Sequence, residues 1–254
     1  MNEIVEWKSR WYAMVEKIRV IANLEEENAL VLELSSVAQP KVLGFVNSYA
    51  MNSMVKNEVF FHALRDADIL LRDGSGMSML MTRLTVNKGL NMNGTDFIPK
   101  LLEAYRGKRV AFWGTEEPYL SHAVSVAVAE YGIVPVSVHH GFESERAYVD
   151  MAIQYQPEFI VLGMGMPKQE KIATMIRNQN IPALVVCGGA IIDFMGKKVK
   201  RAPKWIRKIG FEWLYRLLHE PKRLYRRYVL GNPAFMFRLL RMHRAAISNY
   251  KSNV

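Results

Sequence analysis

The chain has 254 residues, half of them apolar, so it can bury one large or two small hydrophobic cores, and a disordered protein is excluded. Its net charge is +10, but residues 196–254 hold 16 Lys and Arg against two acids, which leaves 18 basic and 22 acidic residues before them. The basicity therefore belongs to the C-terminal segment alone. The single cysteine, Cys187, excludes a disulfide framework and a thiolate metal site, and its apolar neighbours predict a buried hydrophobe.

The first residues lack the apolar centre of a signal peptide, and no apolar run approaches the roughly 18 to 20 residues that span a bilayer. We therefore expect a protein that stays in the cytoplasm. Further along, the apolar residues 18–22 suggest a first strand. Asn23, followed three residues later by Glu26, predicts a capped helix over residues 24–37.

Short apolar runs rich in β-branched residues then recur and predict strands. They are Lys41–Val46, Ile69–Leu71, Arg109–Trp113, Val134–Val138, Phe159–Leu162 and Ala183–Cys187. Segments of helical length lie between them, among them Tyr119–Tyr131 and Lys168–Asn178. The alternation predicts an α/β core over residues 1–195, with a largely parallel, Rossmann-like sheet and helices on both faces.

Three predicted strands run into glycines, and in a parallel sheet their ends would open on one edge and form a ligand crevice. The three segments are Arg72-Asp-Gly-Ser-Gly76, Leu162-Gly-Met-Gly-Met-Pro-Lys-Gln-Glu170 and Cys187-Gly-Gly-Ala-Ile-Ile-Asp193. The second matches neither the dinucleotide fingerprint nor the P-loop. Pro167 would lie in the first turn of a helix whose free N–H groups favour an anion beside Lys168 and Gln169, although a plain turn stays an equal alternative.

Acidic residues near the predicted crevice have two interpretations each. Asp73 could act as a general base or hold sugar hydroxyls, but the residues alone favour an Asp-Gly turn. Asp66 and Asp68 resemble the D-x-D that holds a metal and a nucleotide diphosphate, yet they precede a strand and more simply end a helix. The six histidines show no metal-binding spacing, so no metal site is expected.

Residues 196–254 predict a basic amphipathic helical appendage, with further helical portions after Pro221 and Pro233. A nucleic-acid surface, a membrane-surface anchor and a clamp for substrate phosphates are all open for it. Aromatic residues and leucines interleaved with Arg and Lys favour the anionic membrane surface, and no nucleic-acid-binding motif supports the other surface. The apolar side of the appendage must be covered by lipid, by the core or by another subunit, so a homo-oligomer stays open.

The glycine-rich segments, together with Arg201-Ala-Pro203, Glu212-Trp-Leu-Tyr-Arg216 and Glu220-Pro-Lys-Arg223, resemble the WecG/TagA/CpsF family of bacterial glycosyltransferases (glycosyltransferase family 26) in order and spacing. The resemblance implies an inverting, metal-independent enzyme without a cofactor. It would move a sugar from a UDP-sugar to a saccharide carried on undecaprenyl diphosphate, in the synthesis of capsule, exopolysaccharide or teichoic acid. It also implies a cytoplasmic protein that docks peripherally on the inner face of the cell membrane through the appendage.

The resemblance also implies a set of site residues. Asp73 corresponds to the family's proposed general base, an inverting transfer needing a carboxylate beside the acceptor hydroxyl. The residues implied in substrate binding are Asn47, Gly94, Gly165, Gln169, Asp193, Arg216, Arg223 and one of Arg226 and Arg227, the arginines holding diphosphates.

The sequence departs from the family pattern at three positions near the predicted crevice. Phe45 replaces a threonine, Arg72 replaces a proline, and Asn91 replaces an arginine. These changes leave the reaction class intact and the donor sugar open. A non-catalytic membrane- or nucleic-acid-binding adaptor on an α/β scaffold is the alternative function.

Overall fold

A computed structural model of the chain describes residues 3–208 and 210–242. Its sheet has six parallel strands in the order β2-β1-β6-β5-β3-β4. The strands are β1 (Lys41–Val46), β2 (Ile69–Arg72), β3 (Arg109–Gly114), β4 (Val134–His139), β5 (Phe159–Gly163) and β6 (Leu184–Cys187). All six predicted strands are confirmed, with ends that differ by at most one residue.

The core helices are α1 (Glu3–Lys17), α2 (Leu24–Leu34), α3 (Ser48–Ser53), α4 (Glu58–Arg65), α5 (Gly74–Arg83), α6 (Gly94–Ala104), α7 (Tyr119–Tyr131), α8 (Glu145–Tyr155), α9 (Lys168–Arg177) and α10 (Ile191–Met195). The C-terminal segment forms α11 (Lys204–Lys208), α12 (Glu212–His219), α13 (Pro221–Tyr225), a π-helical turn (Arg226–Leu230) and α14 (Gly231–Leu240).

The strands bury both of their faces, as their near-continuous apolar runs require in a parallel sheet. On one face, alternate strand residues such as Val46 and Trp113 join side chains of α1, α3, α4, α5, α8, α9 and α14. On the other face, residues such as Phe45 and Phe112 join side chains of α2, α6, α7 and α10. The predicted α/β architecture with helices on both faces is confirmed.

The N-terminal region differs from the prediction. Residues 18–22 form no strand, because Ile18 makes only one parallel bridge to Leu70 and the chain then enters α2. The predicted cap of α2 is confirmed, since Asn23 Oδ1 accepts the Glu26 N–H at 2.9 Å. The helix ends at Leu34, three residues before the predicted end.

Helix α1 was not predicted, although its apolar residues recur at helical spacing. Trp7, Trp11 and Met14 are buried on one face, and Trp11 Nε1 donates to the Met51 carbonyl of α3 at 2.9 Å. This helix gives the C-terminal segment a surface to pack against, because the Phe235 ring of α14 lies 5.1 Å from that of Trp11.

The C-terminal helices return to the core near the strand ends. Pro221 begins α13, as predicted, and Pro233 lies in the first turn of α14. Within the described ranges, no helix combines the length and apolar character needed to cross a membrane. The division into units 1–195 and 196–254 stays a prediction.

Candidate active site

The polar and glycine-rich residues of interest follow the carboxyl ends of neighbouring strands. Strand β1 pairs with β2 and β6, and β6 pairs with β5. The three glycine-rich segments follow β2, β5 and β6, and Asn47 follows β1. Their predicted convergence on one edge of the sheet is confirmed, and we call the region at that edge, where the ligand site is predicted, the crevice.

Asp73 occupies the N-cap position of α5, yet its carboxylate makes no capping bond to that helix. Instead, Asn47 Nδ2 donates to Asp73 Oδ2 at 3.3 Å. The Oδ1 of Asn47 caps α3 by accepting the N–H groups of Tyr49 and Ala50, each at 3.1 Å. The cap of α3 therefore fixes the amide so that its NH₂ group faces the carboxylate.

Burial raises the pKa of Asp73, while the bond from Asn47 and the charges of Arg227, Arg216 and Arg72 act in the opposite direction. A carboxyl with a raised pKa is a stronger proton acceptor when ionised, and the arginines keep the ionised form accessible. This environment suits a general base.

Glu212 of α12 is a second carboxyl in the crevice. Burial raises its pKa, Arg201 and Arg216 oppose that shift, and the negative charge of Asp73 adds to it. The Glu-Trp-Leu-Tyr-Arg motif was recognised in the sequence, but Glu212 received no role there. Because Glu212 interacts electrostatically with Asp73, α12 of the appendage lies near the candidate base.

Two of the departures from the family pattern hold the loop around Asp73. The guanidinium of Arg72 donates to the carbonyls of Lys88, Gly74 and Gly89 at 2.8, 3.1 and 3.2 Å. Asn91 Oδ1 accepts the Gly74 N–H at 2.7 Å. Both residues are therefore engaged in positioning the start of α5.

Two glycines beside the crevice allow close approach of their neighbours. A Cβ on Gly76 would lie 1.9 Å from Ser48 Oγ, and one on Gly163 would lie 2.7 Å from Ile192 Cδ1. Gly165, one of the proposed substrate-binding residues, has a φ of +81° and open space where its Cβ would be. Gly165 therefore leaves room at the turn after β5.

Gln169 lies behind the crevice wall, with a fully buried side chain. Its Oε1 accepts the Gly189 N–H at 3.0 Å, and its Nε2 donates to Glu170 Oε1 at 2.8 Å. Glu170 Oε2 is buried and has no partner, and burial raises the pKa of Glu170 to about 7. The pair supports the glycine turn after β6, and direct contact of Gln169 with substrate stays a prediction.

Lys168 is engaged by the protein, since its Nζ donates to the carbonyls of Gly141 and Glu143 at 2.9 and 2.7 Å. Helix α9 begins at Lys168, so Pro167 takes the N-cap position and not the predicted first turn.

Asp66 ends α4 as expected, while Asp68 accepts a hydrogen bond from the Val42 N–H and pairs with Arg177. Both aspartates thus have structural contacts.

Asp193 joins the core to the appendage. Its Oδ1 accepts the Thr115 hydroxyl at 2.6 Å, and its Oδ2 lies 3.5 Å from Arg223 Nη1. Arg223 also pairs with Glu220 at 2.5 Å. If Asp193 or Arg223 contacts substrate as proposed, that contact replaces one of these bonds.

The appendage supplies arginines whose Nε–H groups are buried without a partner among the described residues: Arg201, Arg207, Arg216 and Arg227. The guanidinium of Arg216 lies over the Phe194 ring at 5.3 Å, and that of Arg227 lies over Tyr49 at 5.0 Å. Arg226 is exposed, so of the two alternatives Arg227 is the one at the crevice. Unpaired buried donors of this kind suit an anion.

Arg201 and Arg207 had no predicted role. Arg201 lies 2.7 Å and Arg207 3.5 Å from Asp96 Oδ1, in the first turn of α6. That helix begins at Gly94, where a Cβ would lie 3.3 Å from the Phe45 ring. The third departure, Phe45, thus packs against the helix that carries the partner of both arginines.

Among the described residues, no group of three or more His, Cys, Asp and Glu side chains is placed to hold a metal ion. The cationic groups that act on Asp73 are the guanidiniums of Arg227, Arg216 and Arg72. The crevice therefore combines two carboxyls, Asp73 and Glu212, with cationic donors, which suits transfer of a group away from a phosphate.

Comparison with known proteins agrees with this chemistry. The Glycosyl transferase WecG/TagA/CpsF family matches residues 15–248. The chain is 28% identical over 205 residues to the N-acetylglucosaminyldiphosphoundecaprenol N-acetyl-beta-D-mannosaminyltransferase of Bacillus subtilis (strain 168), covering 79% of each chain. It is 25% identical over 237 residues to the protein of that name from Staphylococcus aureus (strain MW2), covering 91% of this chain and 87% of the relative. The family match spans both the crevice and the appendage, so the chain belongs to the WecG/TagA/CpsF family and is a glycosyltransferase.

Proposed function

We propose that the protein moves a sugar from a UDP-sugar to a hydroxyl of a saccharide linked to undecaprenyl diphosphate, with inversion at the anomeric carbon. The observation that carries this proposal is the pair of arginines, Arg216 and Arg227, whose charges act on Asp73 and whose buried Nε–H groups have no partner among the described residues. The named relatives act on an undecaprenol-linked acceptor, which supports the same acceptor class here.

In this reaction Asp73 takes the proton of the acceptor hydroxyl while the oxygen of that hydroxyl attacks the anomeric carbon. The bond from that carbon to the UDP oxygen breaks in the same displacement, and UDP leaves with the electron pair. One carboxylate is enough for such a step, since a single base activates the nucleophile. Asn47 keeps the carboxylate oriented through its bond to Oδ2.

The departing diphosphate gains negative charge, and guanidinium groups are suited to hold it because their planar donors match phosphate oxygens. Arg216 and Arg227 act on Asp73 electrostatically, so they lie near the reacting centre. Arg223, freed from Asp193, adds a third cation. These residues belong to the appendage, and turnover therefore depends on its position.

The acceptor is carried by lipid, and the appendage has the surface to meet it at the cytoplasmic face of the membrane. Its exposed apolar side chains include Trp205, Leu218 and Leu230, which are 65%, 73% and 56% exposed. Arg and Lys side chains alternate with them along the segment. Such a surface binds the headgroup region of an anionic bilayer.

Assay of a panel of UDP-sugars with an undecaprenyl-diphosphate-linked N-acetylglucosamine acceptor tests the proposal, with the anomeric configuration of the product determined by NMR. We expect one UDP-sugar to give a lipid-linked disaccharide of inverted configuration. Retained configuration contradicts the single displacement. Transfer to water alone contradicts the lipid-linked acceptor. The product also identifies the donor sugar.

A further inference from the structure

A cavity of about 250 Å³ lies between α1, the loop after α3 and the outer side of α14, outside the crevice. It is lined by Trp7, Val55, Lys56, Ala234, Phe237, Arg238 and Arg241. Ala234, Phe237 and Arg238 of α14 and its C-cap residue Arg241 are spaced at i, i+3, i+4 and i+7, so they share one face of that helix. We call this cavity the α14 pocket.

The walls of the α14 pocket are held in place. Arg238 Nη1 donates to Asn52 Oδ1 at 2.7 Å, and Asn52 Nδ2 donates to the Gly231 carbonyl at 2.7 Å. Arg83 donates to the carbonyls of Leu240 and Met242 at 2.9 and 3.0 Å. Both ends of α14 are thus tied to the core, and the pocket is a preformed feature.

All the charged side chains that line the pocket are cationic. Lys56, Arg238 and Arg241 line it, and no carboxylate whose side chain the structure describes pairs with any of them. Burial alone lowers the pKa of Arg238, with no acid to offset it. The acid nearest along α1, Glu6, is paired with Arg10, while Lys8 adds a further cation over the Trp7 ring at 5.9 Å. The cationic lining therefore favours an anionic occupant.

The same pocket has apolar walls, formed by Trp7, Val55, Ala234 and Phe237. Phe237 is 55% exposed at its rim, and the neighbouring Leu240 is 60% exposed. An inorganic anion would leave these surfaces in water, whereas an anion on an apolar body would cover them. We propose that the α14 pocket binds the headgroup phosphate of an anionic phospholipid, with the first methylenes of the acyl chains against Trp7 and Phe237.

The proposal rests on the membrane attachment put forward above and adds a discrete lipid site to it. Asn52, which holds Arg238, lies in α3, and that helix begins beside Asn47, the partner of Asp73. A lipid seated in the pocket therefore holds α14 against the helix that orients the candidate base.

Monomeric short-chain lipids test the site without a bilayer. We expect dihexanoyl phosphatidylglycerol, below its micellar concentration, to raise the Tm of the full chain saturably. Dihexanoyl phosphatidylcholine, glycerol 3-phosphate and inorganic phosphate should leave the Tm unchanged at the same concentrations. An equal shift with inorganic phosphate overturns the lipid assignment, and no shift with phosphatidylglycerol overturns the site.

Variants separate a pocket from general surface charge. Ala234→Phe fills the cavity without changing the charge and should abolish the Tm shift, with Ala234→Leu as a smaller replacement should the first variant fail to fold. Lys56→Gln with Arg241→Gln should weaken binding to phosphatidylglycerol vesicles roughly 30-fold, the effect of two cations at a lipid surface. The control, Lys41→Gln with Arg106→Gln, removes the same charge from residues outside the pocket.

A Tm shift that persists in Ala234→Phe overturns the proposal, as does vesicle binding that the pocket variant and the control lower equally. These measurements use no sugar nucleotide. Failure of the pocket therefore leaves the transfer reaction untouched, and a protein that binds vesicles but not the monomeric lipid retains membrane attachment while losing the specific site.

Discussion

Asp73 and Glu170 are both carboxyl groups whose pKa burial raises, but they differ in their surroundings. Asp73 faces three arginines and the amide of Asn47, whereas Gln169 is the one side chain among the described residues that hydrogen-bonds to Glu170. Cations that stabilise the ionised form make Asp73 available as a base. Glu170 is instead placed to orient Gln169 and the turn after β6.

Replacing Asp73 with Asn should abolish sugar transfer while leaving UDP affinity within about twofold of the wild type. The amide keeps the shape of the side chain but cannot take the acceptor proton. Turnover and UDP binding by calorimetry are the two measurements. Transfer within tenfold of the wild type would remove Asp73 from the role of base.

Asn47→Ser should shift the acidic limb of the pH profile of kcat/KM to higher pH. Serine still caps α3. Its side chain is too short to replace the hydrogen bond from the Asn47 amide that lowers the pKa of Asp73. Because a base must be ionised, activity rises with pH through that pKa, and a higher pKa moves the limb upward. An unchanged limb with lower kcat would contradict this electrostatic role.

Glu170→Gln should stabilise the protein at pH 8 relative to the wild type and change little at pH 4.5. The folded protein holds the Glu170 proton up to a pKa of about 7, against 4.5 for the ordinary group, so its stability falls as pH rises through that interval. Removing the carboxyl group should raise the free energy of unfolding at pH 8 by at most on the order of 3 kcal/mol. Urea unfolding at both pH values measures the difference, and an equal effect at both would refute the linkage.

At the scale of elements, the C-terminal helices are anchored to the core through an ion pair and through a buried aromatic contact. Arg223 of α13 reaches Asp193 after β6, while Phe235 of α14 packs against Trp11 of α1. The first contact lies at the crevice and the second lies away from it. Helix α1, which the sequence did not predict, thus joins α3 and α5 in supporting α14.

Phe235→Ala should lower the free energy of unfolding by about 3 to 5 kcal/mol, because the ring is 2% exposed and leaves a cavity. Phe237→Ala, in the same helix but with an exposed ring, is the matched control and should cost less than about 1 kcal/mol. Denaturant unfolding compares the two. Equal costs would mean that α14 is not anchored through Phe235.

The strands and the glycine-rich strand ends were predictable because their patterns are local. Asp73 and the glycine turns directly follow short apolar runs, and parallel pairing brings them together, whereas Asn47 was identified only through the family resemblance. The appendage was less predictable. The π-helical turn at Arg226–Leu230 changes the helical phase, so sequence spacing could not decide whether Arg226 or Arg227 faces the crevice. The contacts of Arg201 and Arg207 with Asp96 join residues about a hundred positions apart, beyond any local pattern.

At the scale of the whole molecule, the candidate base and its cations come from different parts of the chain. Asp73 follows β2, whereas Arg216 and Arg227 belong to the C-terminal helices. A ligand that contacts both Asp73 and the arginines of the C-terminal helices holds these two parts of the chain together. Binding of a diphosphate should consequently stabilise the assembled protein, by mass action on the folded state.

UDP should therefore raise the Tm of the protein, and Arg216→Gln with Arg227→Gln should remove most of that shift. Arg226→Gln is the control, since it removes a neighbouring charge that is exposed to solvent. Thermal unfolding with and without UDP distinguishes the variants. A full shift in the double variant would show that UDP is held elsewhere.

The glycines of the crevice also indicate where its substrate preference could be re-engineered. A side chain at Gly76 or Gly163 would displace Ser48 or Ile192, but Gly165 and Gly189 face open space with φ values of +81° and +59°. Asn and Asp tolerate such backbone angles better than other side chains, at a cost of roughly 1 to 2 kcal/mol. Libraries restricted to these two residue types at these two positions would add new polar groups to the crevice while preserving its backbone.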